Sequence, residues 1–335
     1  MVRRGLASGR RAGRRLVLLA GLGVALPTLA VESAVSESMV SVQQTLARMV
    51  DASRTLSYRG VATYEQGGSA RTVSVMRAIR GGRQLERLEY LDGPRHELIR
   101  KGERSDCNQV ADRLLKGGVV AGSSAVMARF ADHYRASFQD DDRVAGRAVK
   151  QIYLEPRDGY RYGHLLSVDV ISGLLLQDLV LDAREGIVER FKFTTVEIGP
   201  QIDQAASEPH PGSHAVEAVA TCFQPAIPPD PDGVAPPWQV AWVPPGFALL
   251  GPPQISSGDA EEMHYTDGLG TVSVFIDPES APLRDVEVRR GATVVYVLHW
   301  RDTTRSYVIC VVGELPAPVA KRIAESVRPA VHRSG

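Results

Sequence analysis

The stretch that decides the fold is Arg143–Ile198, whose centre, Tyr160–Val170, reads YRYGHLLSVDV. Apolar and polar side chains alternate along it, which is typical of strands that bury one face and expose the other. Glycine-containing turns separate the runs at 156–159, 171–173 and 183–186, where a tight connection favours a residue that tolerates positive φ. We therefore predict four consecutive antiparallel strands.

The chain before this stretch completes the same sheet. Glycine-rich turns divide it into four more predicted strands, Tyr58–Glu65, Ala70–Arg80, Arg83–Leu91 and Arg95–Lys101. Glu37–Leu56 and Ser123–Phe138 carry apolar stripes at helical spacing and are predicted helices. The expected domain, residues 31–200, is α+β: an open antiparallel half-barrel whose apolar concave face is covered by helices or by a ligand.

That concave face is the candidate ligand site, because a covered apolar surface suits an amphiphile. The candidate lining residues come from five strands and the second helix: Tyr64, Val73, Val75, Leu88, Tyr90, Met127, Phe130, Ile152, Leu154, Phe191 and Phe193. A one-residue error in phase would turn a whole strand outward. The alternative is that these side chains only fill a core.

The first thirty residues have the composition of a secretory signal peptide. Met1–Arg15 contains six arginines and no acidic residue, Leu16–Leu29 is apolar, and small residues stand at a cleavage position near Ala30. The apolar run is shorter than the roughly 20 residues of a spanning helix, which disfavours an uncleaved anchor. Export to a bacterial periplasm is expected.

The full sequence has 39 basic and 39 acidic residues. Without the first thirty residues, 33 basic and 39 acidic residues remain. The mature chain is mildly acidic, which argues against a nucleic-acid partner, since such proteins concentrate basic charge. The three cysteines, Cys107, Cys222 and Cys310, allow at most one internal disulfide, and their spacing fits no zinc site.

Residues 201–237 have the composition of a proline-rich linker, and residues 238–331 form a second, smaller α+β domain. Its predicted elements are six short strands, Trp238–Val243, Met263–Thr266, Thr271–Ile276, Asp285–Arg290, Thr293–Trp300 and Arg305–Val312, and a C-terminal helix. Pro316 and Pro318 suit the first turn of that helix, and Val319, Ile323 and Val327 form its apolar stripe.

No arrangement of residues predicts catalysis. The chain has no nucleophile elbow, no His-Glu-x-x-His, no phosphate loop and no dinucleotide fingerprint, so no enzyme activity and no cofactor are expected. Asp140–Asp142 lacks the alternating ligands and glycine of a calcium loop and is interpreted as an exposed charge run.

Motifs in both domains resemble one family. They are Leu91–Glu97 (LDGPRHE), Arg157–Tyr162 (RDGYRY), Trp242–Phe247 (WVPPGF), Tyr265–Leu269 (YTDGL), and Val312–Pro316 with Ala320–Glu325 (VGELP and AKRIAE). Their order along the chain is similar to that in the MucB/RseB family of periplasmic envelope-stress regulators. The sequence departs from the family pattern most between Lys101 and Ala121.

The resemblance implies a lipoprotein-carrier-like half-barrel followed by a C-terminal domain that binds the periplasmic part of a single-pass anti-sigma factor. It also implies that the bound protein shields the anti-sigma factor from regulated proteolysis and is released by a lipid or lipopolysaccharide-like amphiphile. A periplasmic lipid or lipoprotein carrier is the alternative, and homodimer formation is left open.

Four arginines of the second domain are candidate partner contacts: Arg284, Arg289, Arg290 and Arg301. Their choice rests partly on the resemblance and partly on charge, because guanidinium groups bind carboxylates with two parallel hydrogen bonds. The alternative is that they are ordinary solvated arginines.

Overall fold

Two sheets, one large and one small, form most of the structure, as the sequence predicts. The structure is a computed structural model, and it describes residues 42–53, 55–80, 83–103, 132–199, 214–218, 238–255, 260–279, 284–301 and 305–330. Among these residues, none of the helices is long and apolar enough to cross a membrane.

The first sheet has eleven strands. They are β1 (Tyr58–Gln66), β2 (Ser69–Arg80), β3 (Arg83–Tyr90), β4 (His96–Glu103), β5 (Tyr134–Phe138), β6 (Asp142–Val144), β7 (Arg147–Pro156), β8 (Gly163–Asp169), β9 (Leu175–Leu181), β10 (Ile187–Ile198) and β11 (His214–Ala218). Their order is β11-β4-β3-β2-β1-β10-β9-β8-β7-β5, with β6 paired to β7. All pairs are antiparallel except β11 with β4. The two predicted groups of four strands are therefore halves of one open sheet.

The two halves join where β1 pairs with β10. The register shifts by one residue between Val61 and Ala62, and this bulge lies beside Gly60. A Cβ atom at Gly60 would collide with the carbonyl oxygen of Thr195. The glycine therefore allows the two central strands to approach each other closely.

Helix α1, residues 42–53, covers the β7–β8 half of this sheet. Its buried side chains recur at the spacing of one helical face and pack with residues of β7 and β8. This helix-side cluster contains Val42, Leu46, Met49, Val50, Tyr134, Ile152, Leu154, Leu166, Val168, Leu175 and Leu269.

The second sheet contains β13 (Ala248–Leu249), β14 (Gln254–Ile255), β15 (Glu261–Thr266), β16 (Thr271–Glu279), β17 (Val286–Arg290), β18 (Thr293–Arg301) and β19 (Ser306–Glu314). Its order is β13-β15-β16-β19-β18-β17, with β14 paired to β15. Separately, β12 (Trp238–Val240) pairs with β20 (Val327–Pro329). Helix α2 (Ala317–Ser326) buries Val319 and Ile323 against the sheet, and Pro318 lies in its first turn, as predicted. Pro316 is its N-cap, and Val327, predicted to continue the apolar stripe, begins β20 instead.

Three sequence predictions about secondary structure are wrong. The predicted helix Ser123–Phe138 does not extend to its end, because Tyr134–Phe138 is strand β5 and pairs with β7. The predicted linker, residues 201–237, contains strand β11, which pairs with β4. Strand β12 ends at Val240 rather than at Val243, because Val240 pairs with Val327, where β20 begins directly after the helix Ala317–Ser326.

The prediction that each strand buries one face and exposes the other to solvent is also wrong for β8. Ser167 and Asp169 lie on the face expected to be wet, yet both are buried. Asp169 accepts two hydrogen bonds from Arg147, at 2.7 and 2.9 Å, which compensate for its burial.

The turn at 183–186 also differs from the prediction. The residue with positive φ in this turn is Glu185 rather than the glycine.

Candidate functional site

The two sheets meet at a buried ion pair. Arg161 lies in the loop between β7 and β8, and Asp267 lies in the turn between β15 and β16. The Nη1 atom of Arg161 donates to Oδ2 of Asp267 at 2.7 Å. The two side chains are 2% and 1% exposed. Burial of two charges is costly unless their remaining hydrogen-bonding groups are also satisfied, and here they are.

Arg161 uses its remaining donors on its own loop and on the second domain. Its Nε and Nη2 atoms donate to the two carboxylate oxygens of Asp158, each at 3.1 Å. Nη2 also donates to the carbonyl oxygen of Pro245. The guanidinium thus links Asp158 in the first domain to Pro245 and Asp267 in the second.

Asp267 is satisfied on both oxygens. Its Oδ1 accepts from the backbone N–H groups of Leu269 at 3.0 Å and of Gly270 at 2.8 Å, which close the turn. Its Oδ2 accepts from the hydroxyl of Tyr134 at 3.2 Å as well as from Arg161. The carboxylate therefore organises its own turn and binds two side chains of the first domain.

The protonation of this network follows from its burial and charge. Burial and the negative charge of Asp267 hold the pKa of Tyr134 well above its usual range, so its hydroxyl remains a donor. Burial alone would lower the pKa of Arg161, but Asp267, Tyr134 and Asp158 raise it on balance. Arg161 therefore stays charged at any pH at which the protein is folded.

Aromatic rings enclose the guanidinium groups at this joint. The Arg161 guanidinium lies 5.5 Å from the ring centroid of Tyr134 and 5.6 Å from that of Phe247. On α2, the Arg322 guanidinium lies 3.8 Å from the ring centroid of Trp242. Trp242 meets Tyr160 edge to face, with ring centroids 5.5 Å apart. Such cation–π contacts gain strength when the groups are desolvated.

Leu269 carries the second domain into the core of the first. It is 5% exposed and belongs to the helix-side cluster, together with Ile152 and Leu154 of the first sheet. The same turn therefore supplies both a buried charge, at Asp267, and an apolar anchor, at Leu269.

A second contact joins the domains at the tip of the β17–β18 hairpin. Ala292 is buried in a small cluster with Tyr162 and Val180 of the first domain. A Cβ atom at Gly291 would collide with the side chain of Gln66. Gln66 also donates to the hydroxyl of Thr293 at 3.4 Å. The hairpin tip is therefore packed against the first sheet.

This joint is suited to holding two domains in one orientation rather than to catalysis. Asp267 accepts on both oxygens, and the Arg161 guanidinium donates to two carboxylates and a carbonyl. Charge-assisted bonds of this kind are directional and strong. A partner or ligand that changes the orientation of the domains must break them.

The predicted lining residues lie together on one face of the first sheet. Cross-strand register places Tyr64, Val73, Val75, Leu88, Tyr90, Ile152, Leu154, Phe191 and Phe193 on the same side. Ile152 and Leu154 belong to the helix-side cluster, and the other seven belong to or pack against a central cluster around Tyr58. Phe191 and Phe193 are at most 1% exposed. Met127 and Phe130 lie outside the described residues.

The predicted partner arginines are exposed and fall at the two ends of one hairpin. Arg289 and Arg290 are at the end of β17, whereas Arg284 precedes β17 and Arg301 ends β18. Arg289 also hydrogen-bonds to Tyr162, which partly offsets the rise that burial causes in the pKa of that tyrosine.

Sequence reasoning did not select Tyr134, Arg161 or Asp267 as site residues. Two of the three stand in motifs that carry the family resemblance, Arg157–Tyr162 and Tyr265–Leu269, and Pro245 and Phe247 stand in a third motif. The signal that could have found them is that these motifs contain a charged residue among glycines and aromatic residues, at the ends of predicted strands.

Comparisons with known proteins agree over most of the chain. The family model for the MucB/RseB N-terminal domain matches residues 41–211, and that for the MucB/RseB C-terminal domain matches residues 233–328. The sigma factor AlgU regulatory protein MucB of Pseudomonas aeruginosa is 32% identical over 295 residues, covering 85% of this chain and 90% of that protein. The sigma-E factor regulatory protein RseB of Escherichia coli K12 is 26% identical over 260 residues, covering 73% and 77%.

Solved structures of MucB are also similar to this chain over most of its length. The crystal structure of MucB in complex with MucA(peri) superposes with a TM-score of 0.66 at 29% identity, covering 87% of this chain and 99% of that one. A further crystal structure of MucB gives a TM-score of 0.63 at the same identity and covers 87% of this chain and 98% of that one. By sequence and by fold, this chain belongs to the MucB/RseB family.

Proposed function

We propose that this protein is a negative regulator of an envelope-stress sigma factor and acts by binding the periplasmic part of a membrane-spanning anti-sigma factor. The observation that carries the proposal is the similarity, across both domains, to a MucB structure bound to MucA(peri). The second sheet favours this function over that of a lipid or lipoprotein carrier, for which the first sheet alone would suffice. No catalytic role is proposed.

The proposed site of action is the periplasm, and the signal-peptide composition of residues 1–30 supports export to it. There the bound protein would shield the anti-sigma factor from the protease that starts its degradation. Self-association into a homodimer is a further part of this proposal.

A lipid or lipopolysaccharide-like amphiphile is the proposed releasing signal, and the apolar face of the first sheet is its proposed site. Phe191 and Phe193 are fully covered in this structure. An acyl chain must therefore displace part of that cover before it reaches them. Binding of this kind couples the ligand to a rearrangement, because the ligand favours the state in which the face is open.

The four exposed arginines are proposed contacts for the anti-sigma factor. Their position at both ends of the β17–β18 hairpin would let an acidic segment lie along it. Rim charges mainly change the association rate and its salt dependence, whereas a buried charged contact costs about 2 to 5 kcal/mol when it is truncated. Replacement of Arg289 and Arg290 by alanine distinguishes a rim contact from a buried one. If the affinity for the anti-sigma factor is unchanged at low and moderate salt, these two arginines are not part of the interface.

The proposal is tested by a pull-down from detergent-solubilised inner membranes with the mature chain as bait. The expected result is retention of one single-pass protein whose cytoplasmic part binds a sigma factor. A matched bait of the same chain, denatured before coupling, controls for non-specific capture. Retention of soluble lipoproteins alone would support the carrier instead.

A further inference from the structure

The tip of the β17–β18 hairpin, residues 290–293, lies across the ends of three strands of the first sheet. On one side of the tip, Ala292 is 1% exposed and packs in one cluster with Tyr162 and Val180. On the other side, the side-chain amide of Gln66 donates to the hydroxyl of Thr293. Val180 is on β9 and Gln66 is on β1, and β10 lies between these two strands. The tip therefore spans β9, β10 and β1.

Cross-strand register divides the lining face beneath the tip into two rows. The outer row lies at the strand ends and is mostly polar, and the inner row lies one side-chain repeat further in and is mostly apolar. The outer row is Leu154, His164, Val180, Glu189 and Gln66, and the inner row is Ile152, Leu166, Asp178, Phe191 and Tyr64. Because the tip contacts Val180 and Gln66, it lies on the outer row, at the mouth of the apolar face.

The polar groups beneath the tip are buried. Glu189 and Asp178 are each 1% exposed, and His164 is 9% exposed. Nδ1 of His164 lies 3.0 Å from Oδ1 of Asp178, and Nε2 of Gln66 donates to Oε2 of Glu189 at 3.4 Å. Burial of charged groups has a cost that hydrogen bonds return only in part. Water would hydrate these groups if the tip lifted, so lifting it costs less than exposing an apolar surface.

The tip itself buries little apolar area. Gly291 has no side chain and Ala292 contributes one methyl group, whereas the stabilisation from burial scales with apolar area. Arg289, next to the tip, adds a hydrogen bond to Tyr162. By contrast, the other contact between the domains contains the buried side chain of Leu269 and the Arg161 ion pair. The tip is therefore the weaker of the two contacts.

A cavity beside the tip leads to the outer row. Its volume is about 270 Å³, and residues 65–70 and 187–190 line it. Two of the lining residues, Gln66 and Glu189, belong to the outer row. A Cβ atom at Gly67, which also lines the cavity, would lie 3.4 Å from Cγ of Arg290. A ligand in this cavity would therefore touch the tip and the outer row together.

We infer that the tip of the β17–β18 hairpin gates the apolar face, so that an amphiphile enters through this cavity and passes its acyl chain under the tip to the inner row. The inference rests on the proposed function, which makes that face the site of the releasing signal. Polar groups in the outer row and the aromatic rings of Phe191 and Tyr64 in the inner row match the head and tail of such a ligand.

The gate also links amphiphile entry to the orientation of the domains. The turn that carries Asp267 and the hairpin tip lie at the same end of the second sheet, since Thr266 pairs with Thr271 and Thr293 pairs with Glu314. Lifting the tip away from the first sheet must therefore also change the geometry of the Arg161–Asp267 joint.

A disulfide across the gate tests the inference in the full mature chain, with the three native cysteines replaced by serine. Gln66→Cys with Gly291→Cys places two sulfur atoms where a Cβ at Gly291 would collide with the Gln66 side chain. Closure of this bond should lower the affinity for a monomeric fluorescent acyl probe about tenfold or more, because it removes the open state, and reduction should restore it. Val288→Cys with Val295→Cys, a pair within the hairpin that leaves the tip free, is the matched control and should bind the probe equally in both forms.

Ala292→Glu tests the gate in the opposite direction. A charged side chain cannot remain in the cluster with Tyr162 and Val180, so the tip should lift and the affinity for the probe should rise about threefold or more. Val288→Glu places the same charge at a side chain of this hairpin that is 54% exposed, and it should leave probe binding unchanged. An affinity that does not rise in a folded Ala292→Glu chain would contradict the gate.

The outcomes separate the gate from the proposed function. Equal probe affinity of the cross-linked and reduced forms would overturn the gate and leave the amphiphile site in place. No probe binding by the wild type or by Ala292→Glu would reject the site and the gate together. The probe should displace the anti-sigma segment from the reduced form but not from the cross-linked one. A chain in which the disulfide blocks the probe, but which binds no segment, would retain the gate and reject the proposed regulator.

Discussion

The guanidinium of Arg161 in the first domain lies 2.7 Å from the carboxylate of Asp267 in the second, and both side chains are buried. Because each also hydrogen-bonds to other groups, the pair links the two sheets without leaving an unsatisfied charge. The orientation of the domains therefore depends on polar contacts that are stable only in one geometry. In a regulator that responds to a signal, such a joint is where a rearrangement would begin.

The Arg161–Asp267 pair should be strongly coupled. Replacement of either residue by alanine leaves a buried charge without its partner and should lower the free energy of unfolding by about 3 to 5 kcal/mol. In a double-mutant cycle the second replacement should cost much less than the first. Exposed Arg157 of the same loop is the matched control, and Arg157→Ala should change stability by less than about 0.5 kcal/mol. Additive effects of the two buried replacements would show that the pair does not couple the domains.

Leu269 should anchor the second domain in the first. Leu269→Ala removes a buried side chain and should cost about 2 to 5 kcal/mol. It should also speed proteolytic cleavage within residues 201–237, where two stable fragments are expected, because the joint then opens more often. Leu249, which is 39% exposed, is the control for the same substitution. If neither the variant nor the wild type is cut there while both domains unfold together, the domains form one rigid body and reorientation cannot be the switch.

Phe191 and Phe193 should report on the amphiphile site. Their rings pack edge to face with centroids 5.2 Å apart. Each change to alanine should lower the free energy of unfolding by about 3 to 5 kcal/mol. Because the two rings are in contact, the effects of the two changes should not be additive. If the face binds an amphiphile, affinity for a fluorescent acyl probe should also fall. The comparison is with Ile171→Ala, a change at a side chain that is 82% exposed. Loss of stability with unchanged probe affinity would mean that these rings only fill the core.

Glu261 should make the second domain less stable as pH rises. Its side chain is buried, and burial raises its pKa from 4.5 to about 7. Between these two pH values the folded state keeps a proton that the unfolded state has released. The stability that depends on the protonated carboxyl is therefore fully present below about pH 4.5 and is lost as the pH rises to about 7. The loss amounts to roughly 3 kcal/mol at 1.36 kcal/mol per pKa unit.

Glu261→Gln mimics the protonated form and should remove that loss. Urea unfolding at several pH values should show little difference between variant and wild type at low pH. The variant should be increasingly the more stable of the two as pH rises towards 8. A constant difference across this range would mean that Glu261 is already ionised in the folded protein.

Local patterns in the sequence predict most of the strands. Tyr58–Gln66 and Ser69–Arg80 are found within one residue of their predicted bounds, because alternation marks the strand and the glycine pair between them marks the turn. Helix α2 is predicted as well, since prolines at its start and a buried stripe are both local signals.

Elements that depend on distant partners are not predictable in this way. Tyr134–Phe138 continues an apolar spacing typical of a helix, but pairing with β7 makes it a strand. Strand β11 exists through its pairing with β4, more than a hundred residues earlier in the chain. The same holds for the site: Arg161 and Asp267 are 106 residues apart, and no periodicity shows which distant carboxylate an arginine will meet.

The central claim is that the protein binds the periplasmic segment of an anti-sigma factor, and calorimetric titration of the mature chain with that purified segment tests it most directly. Saturable binding of one segment per chain, with a dissociation constant of about 1 μM or below, is the predicted result. Absence of binding at about 100 μM, by a chain shown to be folded in the same buffer, would contradict the claim.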